Sequence, residues 1–136
     1  MQLDLFQSLT IVNSVVLALL PLVFFRRQKV QEIKYREISE LNVKLHDITR
    51  RADTSLNEDN QLMEPDYKRL IFLISRFKKH SRKLSDEILS YKDLWDRAVG
   101  YNGKKRVKGV TAMRRFKVEF LAKSEIVRDM ADKLLR

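Results

Sequence analysis

Residues 5–25 read LFQSLTIVNSVVLALLPLVFF, 21 positions without a charge, and Arg26, Arg27 and Lys29 follow at once. An α-helix rises about 1.5 Å per residue, so this stretch covers roughly 31 Å, against about 30 Å for the hydrocarbon core of a bilayer. The length predicts a single transmembrane helix. Pro21 falls near its end, where a membrane span tolerates proline better than a soluble helix does. A cleaved signal peptide needs a basic segment before the apolar run. Here Met1 to Asp4 carry no positive charge, and the basic residues lie on the other side. A buried core helix of a soluble domain is the other reading of such a run, although core helices are usually shorter and interrupted by charge.

Flanking charge sets direction. Arg26, Arg27, Lys29, Lys34 and Arg36 follow the stretch closely, and no Lys or Arg precedes it. The positive-inside rule then predicts a short N-terminus (1–4) outside the cell membrane and a cytoplasmic body. Within the span, Gln7, Thr10, Asn13 and Ser14 fall inside about 120° of helical arc. Polar groups at membrane depth usually face another helix, so these four are candidates for helix association. Arg26, Arg27 and Lys29 are candidates for contact with anionic lipid, each worth about 1 kcal/mol near a charged surface. As a simple stop-transfer flank they need no such contact.

The rest of the chain reads as helix. Of 136 residues only 3 are Gly and 2 Pro, and none is Cys, which removes disulfides and thiolate chemistry. Residues 26–52 form a juxtamembrane amphipathic helix, with Val30, Ile33, Ile38, Leu41, Leu45, Ile48 and Ala52 on one stripe. Nothing between Phe25 and Val30 breaks a helix, so the span is expected to run on. Residues 53–64 are acidic and rich in turn formers, which predicts a hinge loop. Pro65 and Asp66 open the next helix. From there Tyr67, Leu70, Ile74, Phe77, Ser81, Leu84, Ile88, Tyr91, Trp95 and Ala98 keep an unbroken 3–4 spacing, with Ser81 and its hydroxyl the exception to an apolar seam. Leu70 to Ile74 is apolar all round. Gly100 to Gly103 ends this helix, and Met113, Phe116, Phe120, Val127, Met130 and Leu134 mark a last one. Two long helices with matching seams and a short link predict an antiparallel hairpin over 65–136. The expected fold is all-α: one N-terminal transmembrane helix, then an elongated helical hairpin or three-helix coiled-coil-like bundle.

Charge is unevenly placed. The net of +10 resolves into −1 over 1–25, +4 over 26–52, −5 over 53–66, +7 over 67–83, −2 over 84–97, +7 over 98–117 and zero over 118–136. On the second soluble helix Arg69, Phe72, Arg76, Lys79 and Lys83 share about 80° of arc opposite the seam. Lys104, Lys105, Arg106, Lys108, Arg114, Arg115 and Lys117 form the densest block, at the expected hairpin tip. Both are candidate basic binding surfaces for phosphate backbone, lipid headgroups or acidic protein. Alternatively they are solvated faces, paired with the acidic 53–66 segment or with Glu125 and Asp129.

Catalysis finds no support in the residues. His46 and His80 are the two histidines, and neither has the spacing of a helical metal site. His46 and Asp47 point about 100° apart on a helix and make no dyad. Gly100 to Lys105 lacks the spacing of a phosphate loop. No catalytic, metal or cofactor-binding residue is assigned, and no small-molecule substrate is expected. The expectation is a single-pass membrane adaptor that binds a protein partner, or itself, through its helical body. A membrane-tethered binder of nucleic acid or anionic lipid is the alternative, although no sequence-reading nucleic-acid motif is present. The layout of short anchor and helical body is also similar to that of phage inner-membrane spanin subunits, whose bodies lie in the periplasm. No motif is shared with them, and the flanking charge points the other way.

Overall fold

The structure, a computed structural model, describes the backbone of residues 2–136 and the side chains of 7, 8 and 10–136. Among the described residues it is all-helical, with four helices and no strand: α1 (Gln2–Asn57), α2 (Glu64–Phe77), α3 (Arg82–Val99) and α4 (Val110–Lys133). The chain divides into two compact units, Met1–Arg36 and Glu37–Arg136. Side chains of the expected 1–4 segment lie outside the described residues.

The first unit is one helical stretch with Pro21 inside it. Eleven large apolar side chains between Ile11 and Phe25 are each about half or more exposed. None of the described residues covers this stretch, so the buried-core-helix reading does not describe it. In water such exposure would cost on the order of 10–20 kcal/mol. By length and composition this is a helix able to cross a membrane.

The second unit has one apolar core drawn from all four helices. Leu41, Leu45, Ile48, Ala52 and Leu56 of α1 join Leu70, Leu73 and Phe77 of α2, Leu84, Ile88, Tyr91 and Trp95 of α3, and Phe116, Phe120, Val127 and Ala131 of α4. Val30 and Ile33 belong to the expected stripe of α1 but stand exposed in the first unit. Cross-links fix the directions. Arg51 meets Asp66 and Glu37 approaches His80, so α1 and α2 run opposite ways. Tyr67 meets Asp96 and Ser85 meets Ile74, so α2 and α3 do too. Glu87 pairs with Lys123 and Arg97 with Glu119, which reverses α4 against α3.

Two boundaries differ from the sequence reading. The loop expected from Asp53 begins only after Asn57, because Asp53 and Leu56 face the core side and extend α1. The helix expected over 65–99 is two helices, so residues 65–136 hold three helices instead of a two-helix hairpin. Ser81 causes the break. Its backbone is extended (φ −154°), and its side chain caps α3 by accepting from the Leu84 N–H at 3.2 Å. The Ser85 hydroxyl then donates to the Ile74 carbonyl at 2.8 Å, tying the two helices across the turn. An unbroken helix of 35 residues would reach roughly 52 Å and leave its seam bare. Folded at 78–81, the seam faces itself.

The core has an aromatic centre. The Tyr91 and Phe120 rings stand 5.0 Å apart, Tyr91 and Trp95 6.0 Å, and Phe116 and Phe120 5.8 Å. Truncating Phe120 to alanine is expected to lower unfolding free energy by about 3–5 kcal/mol. Losing the Ser81 cap in Ser81→Ala costs about 1 kcal/mol. Half-exposed Phe72 changed to alanine shifts stability by less than about 1 kcal/mol. Denaturant unfolding of the full chain in detergent micelles, followed by tryptophan fluorescence, ranks the three.

Candidate functional site

Four of the five acids of the 53–66 segment find a cation within the unit, and Glu58 takes only the Asn60 amide, at 3.2 Å. Asp53 takes the Ser124 hydroxyl at 2.7 Å and Arg128 at 3.0 Å. Asp59 takes Lys117 at 2.6 Å. Glu64 pairs with Lys68 along α2. Asp66 is buried and receives Arg51 in a two-pronged contact at 2.9 and 3.1 Å, with Arg69 at 3.6 Å. The hydrogen bond to Asp66 leads the causes that raise the Arg51 pKa. These pairs hold α1 to α2 and α4, which is the structural use of that segment.

The most enclosed charge is Asp96. It accepts from the Tyr67 hydroxyl at 2.5 Å, Lys92 at 3.0 Å and the Asn102 amide at 3.2 Å, and Asn102 also donates to the Tyr67 oxygen. Burial alone would raise the Asp96 pKa, but these three donors outweigh it and hold the carboxyl below its ordinary value. Burial, then the bond to Asp96, pushes the Tyr67 phenol up. At Lys92 burial opposes the charge, and Asp96 more than restores it. The link reaches Asn102 because Gly100 caps α3 in the left-handed region (φ 76°) and Asn102 follows at φ 54°. Every polar group of this cluster is committed to its neighbours, so it closes the fold and presents no free nucleophile.

At the far end of the unit, Asp132 accepts from the Asn42 amide at 3.0 Å and lies 2.9 Å from His46 Nε2. The Asn42 bond leads the causes that lower the Asp132 pKa, burial opposes it, and His46 adds to it. His46 thus meets a carboxylate 86 residues away instead of its sequence neighbour. The Tyr91 phenol is fully buried near Ser124, and desolvation drives its pKa well above the ordinary range. Among the described residues no cluster of three or more His, Asp or Glu could hold a metal ion.

The basic candidates separate into two places. Arg69 and Phe72 line a groove of about 360 Å³ together with Lys44, Asp47 and Arg51 of α1, and the Arg76 guanidinium stacks 5.0 Å over the Phe72 ring. Lys79 lies in the turn after α2 and Lys83 in the first turn of α3, so the break at 78–81 splits the single stripe the sequence suggested. Lys44 and Arg51 escaped the sequence reading, since only the packing of α1 on α2 brings them beside Arg69. The second place is the 101–109 loop and the start of α4. Lys104, Lys105, Arg106, Lys108, Arg114 and Arg115 are exposed and have no ion pair among the described residues. Lys117, in the same block, is spent on Asp59. Neither Glu125 nor Asp129 pairs with either surface.

In the first unit Arg26 and Arg27 are exposed, and Lys29 lies 5.9 Å from the Phe25 ring centroid. The Ser14 hydroxyl donates to the Thr10 carbonyl at 2.9 Å, while the Gln7 and Asn13 side chains are exposed and have no partner among the described residues. Comparison with protein-family models, with curated proteins and with solved structures gives no match.

A carboxyl held below its unfolded pKa of about 3.9 adds stability at neutral pH and loses it as pH falls through the folded value. Asp96 and Asp132 are both of this kind. Wild-type protein is therefore expected to lose urea resistance on acidification below about pH 4. Asp96→Asn and Asp132→Asn should start weaker at pH 7 and fall less. A variant that falls as steeply as wild type would show that its carboxylate is not a source of the acid sensitivity.

Proposed function

We propose that the protein is a single-pass membrane adaptor whose helical body docks an acidic protein partner. One observation carries this reading. The body pairs four of the five acids of its 53–66 segment, yet the six cations of 104–115 have no ion pair among the described residues and stand on one exposed loop and helix start. Such a patch attracts an acidic surface and speeds encounter with it. The apolar seam is buried inside the second unit, so a contact made through its charged exterior replaces the seam-to-seam association that the heptads suggested.

Two details favour protein over phosphate. Val110 and Val118 are 73% and 71% exposed, each about one helical turn from Arg114, on either side of it. Apolar residues alternating with cations suit an acidic segment that carries apolar side chains of its own. Single-stranded nucleic acid would call for stacking aromatics. Near this block Tyr101 alone is at hand, only 37% exposed and packed 5.0 Å from Tyr67. The groove at Phe72 supplies a second cationic, partly apolar contact. The reading is of binding and not catalysis, because the groups with shifted pKa are occupied in closing the fold. The excess of Lys and Arg after the apolar stretch supports a cytoplasmic body. A tethered binder of anionic lipid or nucleic acid is the second reading, favoured by the same cations.

A photo-cross-linking amino acid placed at Val110 or Val118 of the full chain, in intact cells, separates the two. The adaptor reading expects a protein adduct, absent from a control at exposed Ser90. Replacing Lys104, Arg106, Arg114 and Arg115 by glutamine should weaken the purified complex about ten- to hundredfold, with the gain in affinity shrinking at high salt. Adducts to lipid or nucleic acid alone would transfer the assignment to the second reading.

A further inference from the structure

We infer that the apolar stretch pairs with a second copy of itself in the membrane, through a face centred on Asn13. The inference rests on the membrane reading of residues 5–25 and goes beyond the docking role of the body. Asn13 sits two residues from the middle of that stretch, about 3 Å from the bilayer midplane. Its carboxamide has a carbonyl acceptor and two N–H donors. Neighbouring polar side chains find local relief, as when the Ser14 hydroxyl bonds the Thr10 carbonyl. Asn13 finds none among the described residues. At that depth no water is available to satisfy it, and an unmet polar group in hydrocarbon is costly.

The chemistry of the amide selects the occupant. A carboxamide is self-complementary, because two of them exchange N–H and C=O in a reciprocal pair. Copies of one chain insert in the same direction, so a parallel two-fold pair sets Asn13 opposite Asn13 at equal depth. Leu17, Leu20 and Phe24 follow Asn13 at steps of four, three and four, and they are 64%, 57% and 65% exposed. They continue one seam that a second helix can cover by close packing. Gln7 lies about 12 Å from the midplane, near water, and has no need of such a partner.

The absence of native cysteine makes the test direct. Single cysteines are placed at Leu17, on the seam, and at Leu19, about 160° away on the helix. The full chain is then oxidised in native membranes. The expected result is a disulfide-linked dimer from Leu17→Cys and little from Leu19→Cys. Adding Asn13→Val to Leu17→Cys should cut the dimer roughly three- to tenfold, and Asn13→Gln should retain most of it. Equal cross-linking at both sites, a product with another protein, or indifference to Asn13→Val would overturn the pairing. Alkaline extraction is run on every variant. Protein that stays with the membrane keeps the span, whatever the dimer does. Release of the protein would overturn the span and the inference together.

Discussion

An apolar seam of ten positions from Tyr67 to Ala98 must be covered, and in the second unit the chain covers it with itself. A helix turn at 78–81, capped by Ser81, sets Leu70, Leu73 and Phe77 in the same core as Leu84, Ile88 and Tyr91. The returning α4 adds Phe116 and Phe120, and the end of α1 adds Leu45 and Ile48. Once that surface is used, the exterior left is mainly polar and charged, with single apolar side chains such as Phe72, Val110 and Val118 among the charges. Such an exterior favours contact through charge over hydrophobic pairing.

Charge in the second unit is divided with the same logic. Acidic side chains that sit near the core draw in a donor from another helix: Asp53 takes Arg128, Asp66 takes Arg51, and Asp96 takes the Tyr67 hydroxyl beside Lys92 of its own helix. These contacts fix which helix lies beside which, and they are partly buried, where screening by salt is weaker. The loop after α3 has no such acid within reach of its lysines. Gly100, Asn102 and Gly103 take positive φ in the turn that follows α3, and its cations are exposed. Structural pairing and free charge thus occupy different parts of one small unit.

Much of the helical fold was legible from periodicity, because 3–4 spacing reports which face is buried whatever covers it. Spacing named Leu84, Ile88, Tyr91, Trp95 and Ala98 of α3 and Phe116, Phe120 and Val127 of α4, but missed Leu94 and Ala131, and Met113, Met130 and Leu134 are only partly buried. The break at Ser81 was not legible in the same way, since the heptad phase runs through it undisturbed. A lone serine at an otherwise apolar seam position was the available signal, and its value as a helix cap gave it meaning. The groove beside Phe72 was half visible: Arg69, Phe72 and Arg76 share a helix face, but Lys44 and Arg51 reach it only through packing. Likewise the pairing of His46 with Asp132 spans 86 residues and leaves no local trace.

In the first unit, the apolar side chains from Ile11 to Phe25 have no cover among the described residues, and by length and composition the helix is able to cross a bilayer. In the proposed reading, compartment and partner class follow from the side of the membrane on which residues 37–136 lie. Thiol labelling measures this directly. Gln2→Cys and Gln61→Cys, made singly in the cysteine-free chain, are exposed to a membrane-impermeant reagent on intact cells and after lysis. The account predicts that Gln2→Cys labels on intact cells and that Gln61→Cys labels only after lysis. Labelling of Gln61→Cys on intact cells would contradict it, placing the body outside the cytoplasm and away from any cytoplasmic partner.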